Sequence, residues 1–457
     1  MELTEDIVAP SAAAARELRA MMRGKVISPT DADYLHARQI WNGAVPSYPA
    51  LFAQCETVDD VCAAVQAARR HKLPLSVRGG GHDWAGRSLR HNGVVIDLSS
   101  MRGVHIDPKK HIARVAGGAT ASDVIAAAAP HGLVAVTGNC GGVGFAGLTL
   151  GGGYGLLSAR YGLALDNMVG ADIVLGDGRC SATDAVRHQE LFWALRGGGG
   201  NFGVVTELRI RLHPISKVLA GLILFPWEQA PSVLRNYPSV VSSAPDELGV
   251  LAGAFSAPDG NPVVFLAPLW SGDCAVGTPI MTELQQLGTP ILTQVGPKSY
   301  GEMLSMFDAQ IVNGRHYTMK TRWLAELTPQ VIEELVAAGS DRTSPLSMII
   351  LHHCRGAATR VPPTATAFGL RQEHFMVEII AAWEAGANDN GASHRQWTHT
   401  LWQNLALEAL SGGYANLLGP DDRDQIRLAH GPNIVRLREA KRRFDPYNIF
   451  SAIPLAI

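Results

Sequence analysis

Charge is scarce in this chain. Asp, Glu, Lys and Arg make up 18% of its 457 residues and nearly cancel, at a net −2. There is no Lys/Arg-rich block, which speaks against nucleic acid or an acidic membrane surface as a partner. No run of about 18 apolar residues exists, which excludes a helical membrane span of the usual kind. The first twenty residues are acidic and alanine-rich and lack the basic start and apolar core of a secretory signal, so the expected location is the cytoplasm. The six cysteines (Cys55, Cys62, Cys140, Cys180, Cys274, Cys354) are scattered, with no CxxC, and read as reduced thiols. No H-x-x-H or carboxylate spacing suggests a metal, and no repeat or low-complexity segment interrupts the chain.

What is abundant is apolar residues, at 47%, and glycine, at 48 residues. The first implies a well-buried globular protein, and the length implies two domains or one with a second grafted on. The glycines crowd between Gly79 and Gly203. Tight turns explain some of them; a backbone that approaches a ligand closely explains such a cluster better.

The periodicity predicts helices at Ser11–Met22, Thr57–His71, Ala121–Ala129, Gln330–Ala338 and His394–Ala409, with a helical tail over Asp421–Phe450. Thr57 is placed to cap the second of these. Strands are expected at Leu75–Val77, Val94–Leu98, His111–Val115, Leu133–Val136, Met168–Leu175 and Val204–Leu212. After a break near His213-Pro214-Ile215, alternating runs at Gly249–Phe255, Pro262–Leu269, Ser347–Cys354 and Phe375–Trp383 suggest a second sheet. The fold class is α+β.

Two stretches fit G-x-G-x-x-G on letters: Gly142–Gly147 and Gly198–Gly203. A dinucleotide turn needs a strand before and a helix after. The second runs into the strand-like VVTELRIRL, and the first into more glycine, so neither reads as a Rossmann turn. By contrast, Arg78-Gly79-Gly80-Gly81-His82 follows a strand and offers successive backbone N–H groups to an anion, with Arg78 adding charge. In Gly138-Asn139-Cys140-Gly141-Gly142-Val143-Gly144, a cysteine stands among glycines with little apolar bulk to bury it, so its thiol faces whatever the backbone approaches.

These two motifs, with Leu150-Gly151-Gly152-Gly153-Tyr154-Gly155, Tyr161-Gly162-Leu163-Ala164-Leu165-Asp166-Asn167, Gly198–Thr206 and the tail Asn433 to Phe450, resemble the berberine-bridge-enzyme-like flavoproteins of the vanillyl-alcohol-oxidase (PCMH-type) superfamily. The resemblance runs from about residue 46 to 450. It implies a two-subdomain FAD-binding domain at 46–215 and a substrate domain with an antiparallel sheet covered by helices at 216–409. The segment 410–457 returns to the FAD domain. It implies FAD held by two covalent bonds, from His82 to the flavin 8α-methyl and from Cys140 to flavin C6. It also assigns to the cofactor Arg78, Gly79, Gly80, Gly81, Asp83, Gly138, Gly142, Val143, Gly144, Gly147, Gly152, Gly153, Asn167, Gly203, Val204 and Asn448.

Three residues are candidates for the catalytic proton transfer. Glu378 interrupts the apolar strand Phe375–Trp383, where a carboxylate is costly unless it is used or paired. It stands five residues before Trp383, where relatives place a Glu or Gln of the site. Tyr414 in Gly413-Tyr414-Ala415-Asn416 resembles the family's Tyr-x-Asn base, and needs its pKa lowered from about 10 to act near neutrality. Tyr154, fourteen residues after Cys140, resembles a substrate-site tyrosine. The chain departs from the family at Leu417-Leu418-Gly419, and at Phe368-Gly369-Leu370-Arg371, where a histidine is missing; His352 and His353 stand on a neighbouring strand-like run instead. Val143 resembles the small residue that relatives pair with oxygen access. The expected activity is oxidation of an alcohol, sugar hemiacetal or secondary metabolite by hydride transfer to flavin N5, with molecular oxygen reduced to hydrogen peroxide. The alternatives are oxidative tailoring or dehydrogenation of an aromatic, alkaloid-like metabolite, and a flavin-bearing binding protein without turnover.

Overall fold

The computed structural model describes residues 5–386 and 389–456. The first sheet has the order Val26–Ile27, Leu51–Gln54, Val94–Asp97, Leu75–Arg78, with the last three strands parallel. Parallel neighbours need a long crossover, and the helix Val58–Arg70 supplies one. Thr57 accepts from the Asp60 N–H while the Asp60 carboxylate accepts from the Thr57 N–H, so the helix start is satisfied from both sides.

A second, antiparallel sheet has the order Val104–Asp107, Ile112–Ala116, Val204–Arg211, Met168–Val174, Cys180–Asp184. The third, also antiparallel, has seven strands: Leu292–Lys298, Val218–Pro226, Pro262–Trp270, Leu248–Ser256, Met348–Cys354, His374–Trp383 and His316–Leu324. Side chains alternate across a strand, so each strand offers two faces. In His374–Trp383, Phe375, Val377, Ile379 and Ala381 pack against the helices Ala230–Ser243, Pro329–Ser340 and Ala392–Asn404. Met376, Glu378 and Ile380 face the other way, into a cavity. The fold is thus α+β, with a helix-covered antiparallel sheet as its third sheet. The core does not stop at His213–Ile215: one apolar cluster joins Val205, Leu208 and Ile210 of the second sheet to Val218, Leu251 and Phe265 of the third.

Several elements differ from the sequence reading. The first helix is Glu5–Met21, so it starts before the expected Ser11 and has Pro10 inside it. Burial of Ala14, Ala15 and Leu18 offsets the hydrogen bond that a proline removes. The tail contains two helices, Arg423–Leu428 and Ile434–Phe444, parted by His430-Gly431-Pro432, where Gly431 has φ 49. A seven-residue helix, Phe145–Gly151, stands in the glycine-rich stretch. Gly147 and Gly151 hide it from propensity, and the buried Phe145 and Leu150 hold it. The strand before it, Leu133–Val134, pairs antiparallel with His213–Pro214, so this is still not a Rossmann unit.

Candidate active site

The two glycine loops cross backbone to backbone. A Cβ on Gly80 would lie 2.4 Å from the Gly144 nitrogen, and one on Gly144 would lie 2.5 Å from the Gly80 nitrogen. No side chain fits at either place, so the close approach itself demands glycine. The crossing brings His82 and Cys140 together, with His82 Nε2 3.6 Å from Cys140 Sγ. The His82 ring stacks on Trp41 at 4.4 Å, and Trp41 stacks on Tyr317 at 3.9 Å. Burial pushes His82 down to about 4, so its imidazole is neutral at pH 7 and has one unprotonated ring nitrogen. Burial pushes the Cys140 thiol up, and the N–H groups of Gly142 and Val143 oppose that shift.

Both side chains line a cavity of about 390 Å³ that runs from the first sheet to the inner face of the third. Gly79, Gly80, Gly81, Asp83, Gly138, Val143, Gly144, Gly147 and Gly203 also line it. Gly147 is exposed there, with nothing within 4 Å of an added Cβ. The tail segment Phe450–Ile453 forms part of the wall. It is held by Lys441, which donates to Asp445 at 2.6 Å, to the Asn201 carbonyl at 2.8 Å and to the Phe450 carbonyl at 2.6 Å. Asn139 Oδ1 and Trp41 Nε1 belong to cavity-lining residues, are buried and have no protein partner. A long cavity walled by glycine backbone, with two side-by-side nucleophiles and unpaired polar atoms, fits FAD.

Other glycines and polar residues assigned to the cofactor lie elsewhere. Arg78 forms a cross-strand ion pair with Asp97 and donates to the Ala37 carbonyl, so it holds the base of the loop and adds no charge to the cavity. Gly152 and Gly153 make room for Tyr414 and for Ala164. Asn167 donates to the Tyr161 and Leu163 carbonyls and pairs with His213 at 2.7 Å. Val204 is buried in the core of the first sheet, Gly142 is exposed beside Cys140 without lining the cavity, and Asn448 makes an exposed turn at φ 49.

At the sheet side, Glu378 Oε1 lies 3.0 Å from His352 Nε2. The ring N–H is not aligned on the oxygen, so this is a close polar contact and not a directed hydrogen bond. Asn139 Nδ2 is 3.4 Å from His352 Nδ1; if it donates there, the neutral ring carries its proton on Nε2, facing Glu378. His353 points to the opposite face, where it stacks on Phe375 and bonds Glu373 at 2.8 Å. The charged residues lining the cavity are Asp83, Arg87 and Glu378. Arg87 pairs with Asp83 and also donates to the carbonyls of Ala415, Asn416 and Leu418. That clamp ties the His82 loop to the Tyr414 loop and leaves Glu378 without an arginine or lysine partner in the cavity. The remaining wall on this side is apolar: Phe255, Phe265, Met319, Met348, Ile350 and Met376 among others.

Tyr414 and Tyr154 both line the cavity, with ring centroids 4.9 Å apart. The Tyr414 hydroxyl accepts from the Gly153 N–H at 2.9 Å and from Asn416 Nδ2 at 3.0 Å. Burial pushes it up to about 12 against those two bonds, so it is a neutral phenol near pH 7. Tyr154 donates to His374 Nε2 at 2.9 Å, because His374 Nδ1 is committed to the Gln372 carbonyl at 2.8 Å. Sequence reasoning missed His374, although it shares the strand face of Met376 and Glu378. It also missed Trp41 and Tyr317, which lie far apart in the chain and meet only in the fold.

A family model described as an FAD binding domain matches residues 49–184. The (R)-6-hydroxynicotine oxidase of Paenarthrobacter nicotinovorans is 36% identical over 448 residues, covering 94% of this chain and 95% of that one. The chain belongs to the FAD-linked oxidoreductases. The xylooligosaccharide oxidase of Thermothelomyces thermophilus is 27% identical over 442 residues, covering 90% and 87% of the two chains. Among solved structures, 6-hydroxy-D-nicotine oxidase from Arthrobacter nicotinovorans matches with a TM-score of 0.85 at 28% identity, covering 94% and 97%. A berberine-bridge-enzyme-like protein of Physcomitrella patens shares the fold, with a TM-score of 0.87 at 22% identity, covering 99% of both chains.

In this flavoprotein the two departures from the family pattern have local explanations. Arg371, next to the missing histidine, makes a buried two-pronged pair with Asp166 at 2.8 and 2.9 Å. The Leu417 carbonyl accepts from Trp84 Nε1 at 2.9 Å, and Gly419 packs under the same indole ring.

Proposed function

We propose that this enzyme is an oxidase that carries FAD on two covalent bonds and acts on a hydroxyl- or amine-bearing carbon of a compact, largely apolar or aromatic donor. Molecular oxygen is the acceptor and hydrogen peroxide the second product. The observation that carries the covalent reading is the 3.6 Å separation of His82 Nε2 and Cys140 Sγ on one cavity wall. Two attachment points on one ring edge need two nucleophiles side by side. His82 is neutral, as alkylation at nitrogen requires. Cys140 must lose its proton to react, and the Gly142 and Val143 N–H groups stabilise the thiolate. Val143, small and cavity-lining, leaves room for oxygen.

Bound FAD supplies a hydride acceptor that oxygen can reoxidise. The chain supplies the proton transfer. Glu378 takes the proton from the donor's hydroxyl or amine, since it is the cavity carboxylate that no arginine or lysine neutralises. His352 holds it in place from the adjacent strand. Tyr414 stays protonated and orients the donor through its hydroxyl, and Tyr154 packs the far wall with its proton committed to His374.

The donor class follows from the wall. A sugar presents many hydroxyls, each needing a partner once it is desolvated. The sheet face offers mostly Met, Ile and Phe. An aromatic or alicyclic skeleton with one polar or cationic group aimed at Glu378 suits it better. The nicotine-oxidase relative is consistent with that choice. A peroxide-coupled screen tests it: amines and alcohols that carry a C–H on the functional carbon beside an aromatic or alicyclic ring are expected to turn over and oligosaccharides to be inert, and the reverse ranking would overturn the donor assignment.

A further inference from the structure

Outside the lining of the cavity, two free thiols face each other. Cys62 Sγ and Cys180 Sγ are 3.5 Å apart, although 118 residues separate them in sequence. Cys62 is on the helix Val58–Arg70, which packs on the first sheet. Cys180 opens the strand Cys180–Asp184 at the edge of the second sheet, paired with Val174. The approach has a second anchor: Gly178, at φ 82 in the turn before Cys180, sits where a Cβ would meet the Gln66 side chain at 2.5 Å. Gln66 is one helical turn beyond Cys62, so helix and turn are in register at both points.

We propose that Cys62 and Cys180 are an oxidative modification site, closed to a disulfide by a hydroperoxide, and that the bond staples the first sheet to the second. A disulfide sulfur pair is about 2.05 Å long, so closure needs an approach of roughly 1.5 Å, within the reach of side-chain rotation. The two sulfurs are unequal. Cys180 is exposed and open to a small oxidant; Cys62 is half-buried and holds its proton, being pushed up to about 12 by burial and by its contact with Cys180. Cys180 is therefore the attacking sulfur and Cys62 the resolving one. The Cys180 thiolate attacks one peroxide oxygen, the O–O bond breaks, and the departing hydroxide takes up a proton as water. Cys62, on losing its proton, attacks the resulting sulfenic sulfur; the S–S bond forms, the S–O bond breaks, and a second water leaves. In sum, two thiols and one hydrogen peroxide give one disulfide and two waters. The sulfur pair loses two electrons and the peroxide gains them. The other cysteines have no such neighbour among the described residues, and Cys55 and Cys354 are buried.

The consequence bears on the cofactor cavity. Its walls include Leu75, Ser76 and Val77 from the first sheet and Val205 from the second. A staple between those sheets restrains the seam that holds the cofactor. It also lowers the entropy of the unfolded chain.

The test uses the full-length holoenzyme, with hydrogen peroxide added at one equivalent per chain, so it does not depend on whether the enzyme makes peroxide itself. Peptide mapping without reduction is expected to show one Cys62–Cys180 cross-linked pair, reversed by dithiothreitol, with two titratable thiols lost per chain. The melting temperature rises on oxidation, and Cys62→Ser and Cys180→Ser each abolish that rise. In Cys62→Ser, given two equivalents of peroxide, the exposed Cys180 is expected to advance through sulfenic to sulfinic acid, one peroxide per step, because its resolving partner is gone. Wild-type protein that accumulates Cys180 sulfinic acid with no cross-linked peptide would overturn the proposal, as would loss of thiols at other cysteines first.

Discussion

Glu378 Oε1 and His352 Nε2 lie 3.0 Å apart as diagonal neighbours on adjacent antiparallel strands. The register that pairs Glu378 with Ile350 and Met376 with His352 places both polar side chains on the cavity face, among Met376, Ile380, Met348 and Ile350. A one-residue slip would turn the pair into the helix-covered core and put Val377 and Leu351 in the cavity. The chemistry of the site therefore depends on the register of the seven-stranded sheet.

Replacing Glu378 with Gln keeps the shape and removes the proposed base. Turnover is expected to fall by about 10²–10⁴, with flavin content and melting temperature close to wild type. Rapid-mixing measurement of flavin reduction checks this. Parallel loss of flavin and activity would mean that Glu378 serves the structure alone.

The glycines divide into two kinds, and substitution separates them. Gly80→Ala forces a Cβ to within 2.4 Å of the Gly144 nitrogen, backbone against backbone. It is expected to yield little soluble protein. Gly147→Ala meets nothing in the protein itself and intrudes only on the cavity. That variant is expected to fold and to hold less FAD, which the ratio of visible to ultraviolet absorbance reads directly. Full flavin loading of Gly147→Ala would remove Gly147 from the cofactor wall.

Much of the site was legible in sequence because glycine is informative where backbone must touch backbone. The loops carrying His82 and Cys140 announced themselves that way, and Glu378 did so by breaking an apolar strand. The same signal misled at Gly152 and Gly153, whose missing side chains serve Tyr414 and Ala164. Letters alone do not say what an absent Cβ makes room for. Arg78 beside the loop looked like an anion ligand, because its partner Asp97 lies on a different strand and meets it only through parallel pairing. His374 went unread because a histidine that opens an apolar strand has no local mark of function, and its bond to Tyr154 spans 220 residues. Phe145–Gly151 was hidden by its own composition; its helix is held by tertiary burial.

Acid should loosen the fold before its carboxylates titrate. His213, His374 and His430 are each pushed down to about 4 by burial. In the unfolded chain they titrate near 6.5. Between those values the unfolded chain binds protons that the folded protein refuses, so stability is full above about pH 6.5 and drains away as the pH falls toward 4. Thermal melts across that window are expected to show a steady decline. A melting temperature that stays flat from pH 7 to pH 4.5 would show that these histidines are not held neutral.

The pairing of His82 with Cys140 is the centre of the account, and one measurement addresses it. Purified protein is denatured in acid; the visible spectra of pellet and supernatant are recorded, and the intact mass is taken for wild type and Cys140→Ala. The account predicts yellow pellets for both, a mass gain of one FAD in each, and a spectral shift between them that marks the lost thioether. A colourless wild-type pellet over a yellow supernatant would contradict it, and would leave His82 and Cys140 as neighbours of the cofactor and not its tethers.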